Sequence, residues 1–169
     1  MDLVLKEFRE KSGTRTSLEF PEFAKEAVHI APFFVVLEIP DKSGAERSRK
    51  VSLDNDDPTA RRMLRIDTSV GIEREQIVLW NFYAAYKSEK KNRKFWAGEL
   101  QRLIEVMPKL KAIIAFGDDA WRGMRDVDLR NGITLMGARH PSNRGCKPNV
   151  EEAERELTQV WRRAKALLS

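Results

Sequence analysis

Cysteine occurs once in the 169-residue sequence, at Cys146, and histidine twice, at His29 and His140. One thiol excludes a disulfide framework and any four-cysteine zinc or iron–sulfur site. Two imidazoles argue against a His-rich metal centre, so no cofactor and no metal are expected. No apolar run approaches the roughly 20 residues that cross a bilayer. Met1–Lys11 alternates charged and apolar residues and has no signal-peptide h-region. The expected setting is therefore the reducing cytoplasm, with no membrane partner. Gly-x-Gly-x-x-Gly, P-loop and Gly-x-Ser-x-Gly motifs are missing, which disfavours the common nucleotide-binding and serine-hydrolase classes. There is no internal repeat and no long low-complexity segment.

What is present fits a folded domain. Charged residues make up 34% and hydrophobic residues 41%, a balance that neither a membrane protein nor a disordered chain shows. The length suits one domain with a sizeable core. Lys and Arg number 31 against 26 Asp and Glu, for a net charge of +5 and a pI near 9.4. That excess leans towards an anionic partner such as nucleic acid, but ordinary soluble proteins reach the same value. The lean has to be located residue by residue.

Four short apolar runs punctuate the chain: Phe33–Glu38, Ile77–Asn81, Ala112–Phe116 and Ile133–Met136. Each is β-branched or aromatic and bounded by polar, Gly or Pro residues. Such runs predict strands buried on both faces, as in a parallel sheet. Helical patterns lie between and after them. Pro58–Val70 carries Ala60, Met63, Leu64 and Ile66 on one side and Arg61, Arg62 and Arg65 on another. Phe95–Met107 places Leu100, Leu103, Ile104 and Met107 at helical spacing. Asp118–Met124 is a short helix, and Glu151–Leu168 closes the chain with an amphipathic stripe. The alternation predicts a three-layer α/β/α sandwich around a central, mostly parallel four-stranded sheet. The whole chain, 1–169, reads as one domain, with 1–30 an N-terminal extension and the core at about 33–165. Ligands of such sheets bind beyond the carboxyl ends of the strands, so those ends are where function should sit.

The first end reads Leu37-Glu38-Ile39-Pro40-Asp41. A carboxylate there can act as a base or stabilise a cation, or simply start a solvated loop. The second end is Asn81, whose carboxamide offers donors and an acceptor to an amide-like ring edge, or forms an Asx turn. Phe82, Tyr83 and Tyr86 follow, and packing under the loop suits them better than stacking on a base. The third end is Gly117-Asp118-Asp119. The fourth, Gly137 to Gly145, contains His140-Pro141-Ser142 between Arg139 and Arg144. A neutral imidazole can donate a hydrogen bond to a developing oxyanion. Ser142 and backbone amides can hold a phosphate, and the two arginines supply charge.

Ser52 to Ala60 holds Asp54, Asp56 and Asp57 in four residues. Asp57 before Pro58 predicts an N-cap followed by Pro at the first helical position. Asp54, Asn55 and Asp56 are then open either to function or to turn chemistry.

Taken in order, Leu37-Glu38-Ile39-Pro40-Asp41, Asn81, Phe116-Gly117-Asp118-Asp119-Ala120-Trp121 and His140-Pro141-Ser142 resemble the four motifs of the uracil-DNA glycosylase superfamily. The resemblance covers roughly Phe33 to Trp161. It implies hydrolysis of a base–sugar bond in DNA after the nucleotide is flipped from the stack. Glu38 would stabilise the oxocarbenium-like sugar or orient water, and His140 would hydrogen-bond the leaving uracil anion. Asn81 would read the base edge, with Ile39, Leu53 and Asn55 as neighbouring base-contacting positions. Ser142, Arg139 and Arg144 would contact the DNA, which could be single-stranded, and the protein would act as a monomer. The cluster-bearing branches of the superfamily need four cysteines and are excluded.

The departures are specific. Leu37 stands where the family motif begins with Gly. Ile39 and Asp41 replace its third and last residues. The stretch Lys50-Val51-Ser52-Leu53 has no aromatic where relatives carry a Phe that stacks on uracil, a contact worth about 1–3 kcal/mol per base. The alternative is thus a weak or inactive glycosylase-like protein that binds nucleic acid, with Lys87, Lys90, Lys91, Arg93 and Lys94 as a basic flank or a solvated loop.

Overall fold

The computed structural model describes residues 27–39, 51–83 and 93–169. Four five-residue strands, β1 (Phe33–Leu37), β2 (Ile77–Asn81), β3 (Ala112–Phe116) and β4 (Thr134–Ala138), form one sheet in the order β2-β1-β3-β4. All three pairings are parallel. The first three runs become strands as expected, because side chains on both faces of a parallel sheet need an apolar cover. Every residue of β2 and β3 is buried, and so are four of the five in β1. β2 and β4 are the two edges; β2 is covered, whereas in β4 only Met136 of the five residues is buried.

β4 also runs further than its apolar run suggests. Gly137 and Ala138, read from the sequence as the start of a loop, pair with Ala115 and Phe116. Gly137 is required there by Trp121, since a β-carbon on it would come within 2.8 Å of the indole ring.

The helices follow the strands: α1 (Pro58–Ser69), α2 (Arg93–Glu105), α3 (Asp118–Met124) and α4 (Val150–Lys165). A 3-10 turn, Ala166–Leu168, ends α4 early, and Leu167 and Leu168 are exposed rather than part of its buried stripe. In α1 the apolar face is Ala60, Met63 and Ile66, while Leu64 is exposed. Right-handed crossovers place α1 on one face of the sheet and α2 and α3 on the other, because the chain steps from β1 to β2 and then reverses past β1 to β3 and β4. The helix pairings agree: α1 packs with α4, and α2 with α3. The result is an α/β sandwich. Trp161 of α4 meets Phe33 of β1 edge-on, with ring centroids 5.8 Å apart.

The reversal at β1 is what positions the site. Loops leaving β1 and β3 diverge, so a crevice opens beyond their carboxyl ends, the topological switch point of an open parallel sheet. Among the described residues, no helix is long and apolar enough to cross a membrane.

Candidate functional site

A cavity of about 940 Å³ occupies that crevice. All four strand ends line it: Glu38 and Ile39 after β1, Asn81 closing β2, Gly117 after β3, and Arg139, His140, Ser142 and Arg144 after β4. The register explains the convergence. Leu37 pairs with Asn81, Ala115 with Gly137 and Phe116 with Ala138, so the strands end level. Asn81 and the start of the β4 loop are three strand spacings apart, about 14 Å of backbone.

Asn81 is 2% exposed, and its Oδ1 has no hydrogen-bond partner among the described residues. A buried amide oxygen without a partner costs on the order of 1–3 kcal/mol, and each such group calls for a physical reason, of which a ligand contact is one. The Asx-turn reading of Asn81 fails, because β1–β2 pairing continues past it through backbone bonds: Phe82 N–H to Leu37 O at 2.7 Å and Tyr83 N–H to Glu38 O at 2.9 Å. Phe82 and Tyr83 are buried and pack edge-to-face on each other at 4.8 Å. They do not line the cavity.

His140 lies against Gly117, whose φ of +90° is open to glycine and strained for other residues. A β-carbon at Gly117 would sit 3.4 Å from the His140 Cβ. The Ser142 backbone N–H donates to His140 Nδ1 at 3.2 Å. An accepting Nδ1 on a neutral ring puts the proton on Nε2, leaving that edge a donor. The Ser142 Oγ accepts from the Gly145 N–H at 3.1 Å, which leaves the hydroxyl proton for another acceptor, and Cys146 N–H closes the turn onto Ser142 O at 3.0 Å. Cys146 is fully buried beneath this loop, and burial pushes its thiol above the ordinary range.

The other expected site residues divide. Ile39 and Asn55 line the cavity. Leu53 does not: it is buried in the core and lines a smaller depression of about 420 Å³ between α1 and the following 3-10 turn. Arg144 is exposed at the mouth. Arg139 is paired, its Nε donating to Glu156 Oε2 of α4 at 2.6 Å and its backbone N–H to Glu156 Oε1 at 3.2 Å. Its Nε and backbone N–H are therefore already engaged within the protein. In the basic run, Arg93 and Lys94 begin α2 rather than a loop, and Arg93 pairs with Asp126 at 2.6 Å. Pro40, Asp41, Lys50, Tyr86, Lys87, Lys90, Lys91 and residues 1–26 lie outside the described residues.

The three aspartates have structural partners. Asp57 caps α1, its Oδ1 accepting from Thr59 N–H at 2.8 Å and Ala60 N–H at 2.9 Å. Asp54 pairs with Arg74 at 2.5 Å, and Asp56 pairs with Arg61. Among the described residues no group of His, Cys, Asp or Glu is arranged to hold a metal ion.

Sequence reasoning missed Arg62. Its side chain is 12% exposed and reaches from α1 to the β4 loop. It also missed Val51 and Ser52 as cavity wall; they stand in the stretch that lacks the aromatic of the resembled family. No known protein-family model and no curated protein matches the chain.

Proposed function

We propose that the chain is a DNA glycosylase that hydrolyses the N-glycosidic bond of uracil or a related damaged base, a base-excision step. The observation that carries this reading is the buried Asn81, whose Oδ1 has no partner among the described residues, lining one cavity with Glu38 and with a His140 whose Nδ1 accepts from the Ser142 N–H.

The chemistry follows from those groups. A flipped base enters the crevice beyond the sheet. Asn81 Oδ1 accepts from the ring N3–H and its Nδ2 donates to O4, an arrangement that cytosine cannot match. As the C1′–N1 bond breaks, its electron pair moves onto the base, and the His140 Nε2–H stabilises the developing oxyanion. Glu38 faces the positive charge on the sugar and orients the water whose oxygen bonds to C1′. One water is consumed, and the products are the free base and an abasic site. The Ser142 hydroxyl and Arg144 contact the backbone phosphates.

Incubation with uracil-containing single- and double-stranded oligonucleotides and a panel of other lesions, followed by alkali, tests this. Strand scission that is lost in Glu38→Ala and His140→Ala is expected. No scission over hours at stoichiometric protein across the panel defeats the proposal.

The second reading, a nucleic-acid binder with weak or no catalysis, draws on one observation. Val51 and Ser52 line the cavity in the stretch where the resembled family carries a stacking Phe, and without such a ring base capture would lose about 1–3 kcal/mol. DNA affinity that falls steeply with salt but yields no scission favours it. No binding at low salt removes it.

A further inference from the structure

We propose that Arg62 is a positioning residue which sets the tautomer of His140 through the peptide bond between Pro141 and Ser142. The inference rests on the glycosylase reading only for its kinetic consequence. Its structural part stands independently.

Arg62 makes three hydrogen bonds at once. Nη1 donates to Pro141 O at 2.5 Å, Nη2 to Asn143 Oδ1 at 3.1 Å, and Nε to Glu154 Oε1 at 3.1 Å. Pro141 O and the Ser142 N–H belong to one planar trans peptide unit, so they point in opposite directions. A cation on the carbonyl side therefore fixes where the N–H side points, and it points at His140 Nδ1, 3.2 Å away. It also draws charge towards the carbonyl and strengthens the N–H as a donor. The order is Glu154, Arg62, the Pro141–Ser142 peptide, then His140.

The anchor at the far end is held in its ionised form. Burial pushes the Glu154 carboxyl up, but the hydrogen bonds and charges of Arg65 and Arg62 outweigh it and hold the group below the usual carboxylate range. Arg65 bonds the same Glu154 Oε1, so the carboxylate is clamped from two turns of α1. Arg62 does not line the cavity. Its planar fork, with donors spread around one guanidinium, matches three acceptors that a lysine could not serve together. Without it, the Pro141–Ser142 peptide loses the cation that orients it, and the Ser142 N–H is held on Nδ1 less firmly. The imidazole would then populate both neutral tautomers, and the one with Nδ1–H has no proton on Nε2 to donate.

The test reads the tautomer directly. Long-range 1H–15N spectra of the full chain at neutral pH are expected to show a single Nε2–H form for His140 in the wild type. In Arg62→Ala and Arg62→Gln the two ring-nitrogen shifts should converge, as expected for mixed tautomers. Glu154→Gln, which leaves Arg62 in place with a weaker anchor, should lie between. On uracil-containing oligonucleotide, Arg62→Ala should lower kcat on the order of 10²-fold, the scale for a misplaced catalytic group, with KM little changed. Arg62→Lys should recover part of it. A wild-type tautomer in folded Arg62→Ala or Arg62→Gln overturns the proposal, whatever the activity. Absence of scission by the wild type itself counts against the glycosylase reading and leaves the tautomer result to decide this one.

Discussion

Gly145 packs against the carbonyl of His140 so closely that a β-carbon on it would overlap the His140 oxygen and press on the His140 Cβ. The obstacle is backbone, so it cannot swing aside. Gly145→Ala is therefore expected to destabilise the protein by about 1–3 kcal/mol, the range for overpacking, and to displace the His140–Ser142 turn. Urea denaturation measures the first effect. The His140 ring-nitrogen shifts report the second, and an unchanged midpoint and unchanged shifts would contradict the packing.

The acidic stretch before α1 separates by partner. Asp57 accepts two backbone N–H bonds at the helix start, and it is buried. Asp57→Ala should cost about 1 kcal/mol of stability, as N-cap losses do. Asp56 pairs with Arg61 on the surface, with side-chain exposures of 84% and 64%. Asp56→Ala should leave the denaturation midpoint unmoved, since exposed ion pairs contribute little. Equal losses in the two variants would show that the capping assignment is wrong.

Asp67 gives the protein a pH dependence of unusual sign. It lies on the buried stripe of α1, and neither carboxyl oxygen has a well-formed hydrogen bond. Burial pushes its pKa from 3.8 up to about 8, against the opposing pull of the Trp161 indole and the Arg74 charge. Between those two values the native state holds a proton that the unfolded chain has lost. This group's contribution is therefore full below the unfolded value and declines as pH rises through the window, by at most about 1.4 kcal/mol per pH unit. Asp67→Asn cannot ionise and should lose that slope. Denaturation midpoints of both proteins from pH 5 to 8 test this, and parallel curves would refute it.

The two loop arginines should differ in their effect on DNA. Arg144 is exposed at the cavity mouth, whereas Arg139 is tied to Glu156. On the proposed function, Arg144→Ala should weaken oligonucleotide binding and reduce the slope of log affinity against log salt by about 0.7–0.9, the value of one phosphate contact. Arg139→Ala should change the slope less. Fluorescence anisotropy across a salt series distinguishes them, and a larger slope change for Arg139 would reverse the assignment.

Local chemistry made most of the elements legible. Val35, Val36, Ile113 and Ile114 sit in runs too short for helices and too apolar for a half-exposed strand, and they lie in β1 and β3. Asp57-Pro58 announced the start of α1, and Asp118–Met124 is a helix over the range its pattern indicates. These signals depend on neighbours within a few positions. Asp67 was missed: it lies four residues beyond Met63 on the same helical face, but a single carboxylate in a charged helix does not stand out without knowledge of what packs over it.

The sequence by itself determined an α/β domain with Glu38, Asn81 and His140 at strand ends. Tertiary structure decided that these ends share one crevice, because strand order sets where the loops diverge, and order depends on pairings between distant segments. It also decided which charges are already used. Arg62 meets Pro141 across 79 residues, and Arg139 meets Glu156 across two elements. Leu53 turns into the core while Asn55, two residues on, faces the cavity. No periodicity encodes such contacts: they follow from how α1 and α4 pack together on one face of the sheet.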